Sequence, residues 1–362
     1  ISRQGYFSDS GPNRLEEVFT ADTKAHGFQE GEAKLVVTAR DYSWWSWLQG
    51  NLTTVSQPVV IDTKPPMLSV QDATPYIKNG GSGVVVYRTN ETLQRHGVVF
   101  NDHFHPGHSL ANRGENVYVA YVSFPFDAQA IKSAYVSGTD QAGNEGQAPV
   151  SINFKHKPLN SDRINISDGF LNKKLPEFAM NYELFGTPVE QYVLVNNQVR
   201  QENNDRIREI CSSSRSERLW DGAFLRMARS SRRSGFADHR TYFYEGKKID
   251  EQYHLGLDLA SIKHAEVEAA NRGVVAFAEY LGIYGNTVIV DHGQGLFSLY
   301  SHLSQIKATP GEPVEQGAVL GLTGTTGMAG GDHLHYSMLV NGVFVDPVEW
   351  WDPHWIQVSI RD

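Results

Sequence analysis

Short alternating runs of apolar and polar residues dominate the first 157 residues of the chain. Residues 34–40 and 83–87 are two such runs, and the stretches between runs are rich in Gly, Asn, Asp and Pro. An alternation with a period of two predicts half-buried β-strands, and no run here has a helical period. The strand predicted at residues 59–63 leads directly into Pro65 and Pro66, which indicates a boundary between two β-sandwich modules.

Residues 158–235 have a different pattern. A helix-start signature lies at residues 187–190, with a threonine cap, a proline in the first turn and a glutamate three positions after the cap. Apolar positions at helical spacing follow as far as Cys211, and seven arginines then lie between Arg215 and Arg240. We interpret this region as a partly helical, solvated connector. The alternative is a basic flank that receives acidic substrate groups, such as peptide carboxylates.

Strand patterns return at residues 236–362, now separated by glycine turns. The strand candidates are residues 273–278, 286–291, 296–300, 314–321 and 334–340. Asn341-Gly342 is a strong signal for a two-residue hairpin turn. We therefore expect a compact antiparallel β domain with its functional groups on strands and strand ends.

Composition and charge narrow the function classes. The chain has 362 residues, of which 40% are hydrophobic, and a net charge of −9. This length suggests about two or three domains, and the negative charge argues against a nucleic-acid partner. The single cysteine, Cys211, excludes an intramolecular disulfide and is expected to pack in a core. No apolar stretch approaches the roughly 20 residues that span a bilayer. Because the chain begins at Ile1, we expect a processed or truncated product. Membrane anchoring would then be possible only through an N-terminal segment that is missing from this sequence.

Five residues near the C-terminus carry the candidate chemistry. They stand in three motifs, His254-Leu-Gly-Leu-Asp258, Tyr300-Ser-His302-Leu303 and His333-Leu-His335. Residues two apart on a strand share a face, so His333 and His335 would point into one cleft. Catalytic zinc needs three protein ligands and one open position, and histidine and carboxylate ligands suit it. A His-x-His pair alone is weak evidence, but the three motifs together predict a zinc hydrolase.

These motifs resemble those of the lysostaphin/LytM-type M23 zinc metallopeptidases. The sequence between the motifs fits the same family at residues 285–293, 317–321, 323–327 and 346–347. The resemblance covers residues 235–347 and implies an M23 fold, one zinc ion and hydrolysis of peptide bonds in bacterial peptidoglycan. It also implies that His254, Asp258 and His335 are the zinc ligands. His302 and His333 match the histidine pair that activates water and stabilises or protonates the tetrahedral species.

Two positions depart from the family pattern. Asp332 stands where proline is common and Tyr336 where phenylalanine is common, and an altered pocket rim is the expected consequence. Upstream, residues 1–157 resemble tandem bacterial Ig-like domains, with Asp-Thr-x-Pro-Pro at residues 62–66. That resemblance implies modules that act as spacers or position the catalytic domain.

Other histidines and the tryptophan pairs are interpreted as structural. His103, His105 and His108 match no metal pattern, so we expect surface histidines in a loop; an accessory metal site or a pH-sensitive contact is the alternative. His292 is expected in a structural turn and His264 at the rim or surface. The pairs Trp44-Trp45 and Trp350-Trp351 are expected in core or interface packing.

The sequence therefore predicts a mostly β protein with four parts. They are an Ig-like β-sandwich at residues 1–62, a second at 63–157, the connector at 158–235 and an antiparallel M23 domain at 236–362. We expect an exported, periplasmic or envelope-associated zinc endopeptidase that cuts stem or cross-link peptides of peptidoglycan. A non-catalytic regulator or binding protein of cell-wall amidases, and a peptidase acting on a protein or on glycyl bonds, are the alternatives. We also expect the N-terminal modules or the Arg-rich connector to cover part of the cleft.

Overall fold

The described residues of this computed structural model, 27–40 and 50–360, divide into two compact units. The first unit comprises residues 1–65 with 142–144, and the second comprises the remainder of the chain. The described secondary structure is mostly strand, as predicted. Within these described ranges, no helix is both long and apolar enough to span a bilayer.

A single antiparallel hairpin makes up the described strands of the first unit. Strand β1 (Gly31–Arg40) pairs with β2 (Leu52–Ile61) along its whole length. Residues 1–26 and 41–49, which include Trp44 and Trp45, lie outside the described residues. The Ig-like sandwich at residues 1–62 therefore stays a prediction.

Two four-stranded antiparallel sheets form a β-sandwich at the start of the second unit. Its strands are β3 (Leu68–Ala73), β4 (Tyr76–Lys78), β5 (Ser82–Thr89), β6 (Arg95–Phe100), β7 (His103–Pro106), β8 (His108–Ser109), β9 (Val117–Ser123), β10 (Ala134–Thr139), β11 (Glu145–Pro149) and β12 (Asn153–Lys155). The sheets have the orders β3-β5-β9-β8 and β11-β10-β6-β7, while β4 and β12 form a parallel pair. Val85, Val98 and Phe124 contribute to the core between the sheets. The Ig-like identity of this sandwich stays a prediction.

The histidine cluster of this sandwich differs from the prediction. His103 and His105 lie on β7, which pairs with β6, and His108 lies on β8. Side chains alternate between the faces of a strand, so His103 is exposed while His105 is only 1% exposed. The prediction of a loop is therefore wrong for all three histidines, and the prediction of a surface position is wrong for His105.

Residues 158–230 of the connector contain one strand, three α-helices and a π-helical turn, while a second strand at Ser231–Ser234 belongs to the C-terminal sheet. These elements are β13 (Ser161–Ile166), α1 (Asp168–Ala179), α2 (Pro188–Leu194), the π-turn Val195–Val199 and α3 (Arg200–Ile210). The predicted capping box at Thr187 and Glu190 is confirmed. Strand β13 pairs in parallel with β15 (His239–Tyr244), which pairs with β16 (Lys247–Tyr253). The connector therefore adds its strand to the segment that leads into the first candidate motif.

A ten-stranded antiparallel sheet forms the C-terminal domain. Its strands are β14 (Ser231–Ser234), β17 (Leu257–Ala260), β18 (Glu266–Glu268), β19 (Gly273–Tyr280), β20 (Asn286–Asp291), β21 (Leu296–Ile306), β22 (Pro313–Val314), β23 (Val319–Thr323), β24 (Leu334–Val340) and β25 (Val343–Val345). The main path is β14-β17-β24-β21-β20-β19-β22, with β18, β23 and β25 paired off it. Two short helices, α4 (Pro347–Trp350) and α5 (Pro353–Ser359), follow the sheet.

Two local predictions for this sheet have different outcomes. The Asn341-Gly342 hairpin turn is confirmed, since it joins β24 to β25 with φ angles of 51° and 78°. The prediction of a single strand at residues 314–321 is wrong. Gly317, with a φ of 84°, lies in a turn that separates β22 from β23.

Candidate active site

The centre of the sheet brings the five candidate residues into one cleft. Asp258 on β17 lies directly opposite His335 on β24, and His335 in turn lies opposite Ser301 on β21, one residue before His302. His254 lies between β16 and β17, where its backbone exchanges hydrogen bonds with residues 237 and 238. Long-range strand pairing therefore assembles groups that are distant in sequence.

His254, Asp258 and His335 present three ligand atoms to one point. His254 Nε2 is 2.9 Å from Asp258 Oδ1 and 2.9 Å from His335 Nδ1, and the last two atoms are 3.1 Å apart. All three residues are buried. Ligand atoms of a tetrahedral zinc ion, at about 2.0–2.2 Å from the metal, are separated by roughly 3.3 Å. The observed spacing is close to that value.

The hydrogen bonds around this triad indicate that both imidazoles present lone pairs to the centre. His254 Nδ1 is 2.8 Å from the carbonyl oxygen of Gly235 and must carry the proton to donate there. Ser337 Oγ donates to the carbonyl of Leu255, so it accepts from His335 Nε2 at 3.0 Å. These partners fix the two ring tautomers, as outer partners of metal-binding histidines do. Two nitrogen lone pairs and a carboxylate oxygen thus converge without a proton between them, and this donor set fits a zinc ion.

Arg240 of strand β15 holds the other oxygen of the candidate carboxylate ligand. Its Nη2 donates to Asp258 Oδ2 at 2.8 Å, while Oδ1 faces the histidines. The guanidinium therefore fixes the carboxylate orientation and leaves one oxygen for a metal. Sequence reasoning placed Arg240 only at the end of an arginine-rich stretch, because the pairing depends on strand contacts that spacing does not reveal.

His302 and His333 lie beside the triad, with their rings 4.9 Å apart. His302 Nδ1 donates to the carbonyl of Thr326 at 2.9 Å, which leaves its Nε2 as an acceptor. His333 Nδ1 lies 2.8 Å from the carbonyl of Gly331, and its Nε2 lies 3.4 Å from Asp258 Oδ1. His302 has a φ of 62°, a left-handed conformation that is uncommon for residues other than glycine and is concentrated at functional sites.

Burial and neighbouring charges move the pKa values of these groups in different directions. Burial, together with repulsion from His333 and His335, holds the pKa of His302 well below its usual range. Burial also lowers the pKa of His335, to about 4. Burial opposes ionisation of Asp258, yet the nearby histidines hold its pKa well below normal. For His333 the burial effect is outweighed by Asp258, which raises the pKa.

The connector forms one side of the cleft, which has a volume of about 430 Å³. Residues 164–167, Phe170, Tyr192 and Arg200, here called the connector wall, line the cleft together with the five candidate residues. Of the arginines between Arg215 and Arg240, only Arg240 lines this described cleft. The connector wall therefore combines the end of strand β13 with one residue from each of the three helices.

Three further residues near the site have roles that local pattern did not reveal. A Cβ at Gly256 would lie 2.6 Å from the His335 ring, so this glycine permits close approach of the two candidate ligand segments. Asp332 accepts a 2.6 Å hydrogen bond from Thr323 Oγ1, which ties down the loop before His333. Tyr336 is buried in the domain core, so the expectation that it alters the pocket rim is wrong.

The other residues considered as candidates in the sequence lie in the protein core or on its surface, outside the candidate site. His292 is fully buried and bonds the carbonyl of Arg272 and Ser298 Oγ. Cys211 and Trp350 are buried in cores, and His264 is exposed, as predicted.

Comparisons with known proteins show that the C-terminal domain is similar to a family of peptidases. Residues 252–347 match the model of Peptidase family M23. DD-carboxypeptidase/endopeptidase Mpg of Neisseria meningitidis serogroup B is 41% identical over 95 residues, which cover 26% of this chain and 22% of that protein. Peptidoglycan DD-endopeptidase ShyC of Vibrio cholerae is 35% identical over 127 residues, which cover 34% of this chain and 29% of that protein.

The similarity is confined to part of each relative. The matched segments span less than a third of the length of these two relatives. Among solved structures, a zinc-containing peptidase from Vibrio cholerae is 29% identical with a TM-score of 0.32, over 36% of this chain and 40% of that one.

Proposed function

We propose, from the premise that residues 252–347 form a peptidase family M23 domain, that this chain is a zinc-dependent endopeptidase of bacterial peptidoglycan. The observation that carries the proposal is the convergence of two imidazole lone pairs and one carboxylate oxygen in a cleft that also contains His302 and His333. Relatives named as DD-endopeptidases support stem or cross-link peptides as the substrate class. A location in the cell envelope follows from that substrate.

His254, Asp258 and His335 would hold the zinc ion. When bound there, zinc supplies a Lewis acid that polarises the scissile carbonyl and lowers the pKa of water from 15.7 to about 7. Arg240 keeps Asp258 oriented, and the bonds to Gly235 and Ser337 keep the imidazoles in the required tautomers. The residues around the site thus preorganise its ligands.

His302 and His333 would divide the proton transfers. Because His302 is neutral and its Nδ1 proton is donated to Thr326, its Nε2 can accept the proton of the attacking water. Asp258 favours the protonated form of His333, which can therefore stabilise the developing oxyanion or protonate the leaving amine. The lowered pKa of His302 suits a proton acceptor, and the raised pKa of His333 suits a proton donor.

Digestion of purified peptidoglycan tests this proposal. The native protein is expected to release peptide-cleaved muropeptides, whereas His302→Ala is expected to be slowed about 10²-fold or more. His264→Ala, which replaces an exposed histidine that does not line the cleft, is the control and is expected to retain activity. Mass spectrometry of the products identifies the bond that is cut. A native protein that binds zinc but releases no peptide products would contradict the enzyme proposal and favour the regulatory alternative.

A further inference from the structure

The connector wall carries a positive charge that the proposed reaction does not use. Apart from histidines, the charged residues lining the described cleft are Asp258, Arg240 and Arg200. Asp258 and Arg240 form an ion pair with each other. Arg200 has no carboxylate within ion-pair distance among the described residues, so its charge is not neutralised by direct contact.

Neutral groups fix the orientation of the Arg200 guanidinium. Nε donates to the backbone carbonyl of Asn196 at 3.0 Å, and Nη2 donates to Asn196 Oδ1 at 2.6 Å. The Asn196 amide in turn donates to Asp250 Oδ2 at 2.6 Å, so Asn196 stands between the guanidinium and the nearest carboxylate in this network. Nη1 makes no described hydrogen bond within the protein.

The backbone at this point is also unusual. Residues 195–199 form a π-helical turn, and the backbone N–H of Arg200 donates to the carbonyl of Val195, five residues earlier. Single π-turns inside α-helices are frequent at functional sites. Here the turn lies where the helix contributes Arg200 to the cleft.

We propose that Arg200 is a specificity-determining residue that binds a carboxylate of the peptide substrate. This inference rests on the proposed function, because it assigns a subsite of the same cleft. A guanidinium binds carboxylates through charge-assisted hydrogen bonds, and its fixed geometry makes the contact selective. Stem peptides offer such groups at D-glutamate, diaminopimelate and the terminal D-alanine. The free Nη1 is the donor available for them.

Binding to the zinc-free protein tests the subsite separately from catalysis. The probes are the stem tetrapeptide L-Ala–D-Glu–diaminopimelate–D-Ala and the same peptide with all its carboxylates amidated, titrated by calorimetry in the presence of a chelator. We expect the acid to bind about tenfold more tightly than the amide, because a hydrogen bond to a charged group is stronger than one to a neutral group. Peptides amidated at one position then identify the carboxylate that is bound.

Variants assign the preference to one side chain. Arg200→Met is expected to abolish the preference for the acid, and Arg200→Lys to retain part of it. Arg206→Met is the matched control, because Arg206 lies on the same helix, is exposed and pairs with Glu209. Thermal melting of each variant shows whether α3 remains folded.

The outcomes separate the two proposals. Equal binding of acid and amide by the native protein, or an unchanged preference in a folded Arg200→Met variant, would overturn the Arg200 assignment. If Arg200→Met does not fold, the native comparison and Arg200→Lys still decide the question. A clear acid preference without any peptidoglycan cleavage would support the subsite while contradicting the endopeptidase proposal. In an active enzyme, Arg200→Met should raise KM about tenfold and change kcat little, since the contact binds substrate and transition state alike.

Discussion

Single side chains around the candidate ligands determine the geometry of the site. Asp258 is buried and accepts a hydrogen bond from Arg240 on one oxygen, so its other oxygen remains directed at the two histidines. Without the guanidinium, the carboxylate could rotate or bind in a different mode. An outer partner of this kind typically contributes 10–100-fold to metal affinity.

Replacing Arg240 should therefore weaken zinc binding. We expect Arg240→Gln to lower zinc affinity about 10–100-fold, because the neutral amide cannot form the ion pair with Asp258. Competition with a chromophoric chelator measures the dissociation constant. Arg206→Gln, an exposed position, serves as the control. An Arg240→Gln protein with native zinc affinity would show that Asp258 is held by its other contacts.

Gly256 gives a second prediction at the residue scale. A methyl group there would lie 2.6 Å from His335 Nε2 and from Ser337 Oγ, so Gly256→Ala should displace the imidazole and break its bond to Ser337. Overpacking of this kind typically costs about 1–3 kcal/mol of folding free energy. We expect a lower melting temperature together with at least tenfold weaker zinc binding, again from chelator competition.

The control for this change lies on the same cleft. Gly330 also lines the cleft, but a Cβ added there meets no atom within 4 Å. Gly330→Ala should therefore leave zinc affinity and melting temperature unchanged. Equal effects of the two substitutions would show that the cause is not contact with His335.

At the scale of elements, sequence pattern predicted strands and turns well where the signal is local. The capping box at Thr187 and the hairpin at Asn341-Gly342 each depend on adjacent residues, and both are confirmed. The turn at Gly317 was missed, because one glycine inside a short segment with apolar residues on both sides is compatible with a continuous strand. The spacing of His333 and His335 predicted a shared face, but the positions of Arg240 and Arg200 depend on packing between segments distant in sequence.

The burial of His105 also depends on packing between segments that are distant in sequence. It has a measurable effect on the stability of the protein. Burial lowers the pKa of His105 to about 3. The folded state keeps the ring neutral while the unfolded state takes up a proton below about pH 6.5, so stability is lost as the pH falls from 6.5 toward 3. At pH 5 this loss is about 2 kcal/mol.

We therefore expect His105→Leu to reduce the acid sensitivity of folding. The difference in unfolding free energy between pH 7 and pH 5, from urea titration, should be about 2 kcal/mol smaller than in the native protein. Asn341, which bonds His105 Nδ1, keeps its bond to the carbonyl of Tyr121 in the variant. His103→Gln, at an exposed position of the same strand, leaves the burial of His105 in place and should change the pH dependence much less than His105→Leu. An unaltered pH dependence in His105→Leu would mean that other groups dominate acid unfolding.

At the scale of the molecule, the sandwich at residues 66–155 and the C-terminal domain share polar and aromatic contacts within the second unit. Lys78 Nζ is 3.1 Å from Asp346 Oδ2 and 3.2 Å from Glu349 Oε1. Trp350, completely buried, donates from Nε1 to Ser82 Oγ. These contacts join β4 and β5 to α4, so the C-terminal domain is expected to depend on the sandwich for part of its stability.

Replacing Lys78 tests this dependence, because its ammonium group pairs with two carboxylates that have little access to water. Burial raises the pKa of Glu349 despite the attraction of Lys78, so removing the ammonium would leave its carboxylate less well compensated. We expect Lys78→Met to lower the free energy of unfolding by about 1–3 kcal/mol, the cost of leaving a buried polar group without its partner. Lys155→Met, at an exposed position of β12, should change it by less than about 0.5 kcal/mol. Urea unfolding monitored by tryptophan fluorescence measures both. Equal stability of the two variants would show that the apolar contacts around Trp350, rather than the ion pairs, hold the sandwich against the C-terminal domain.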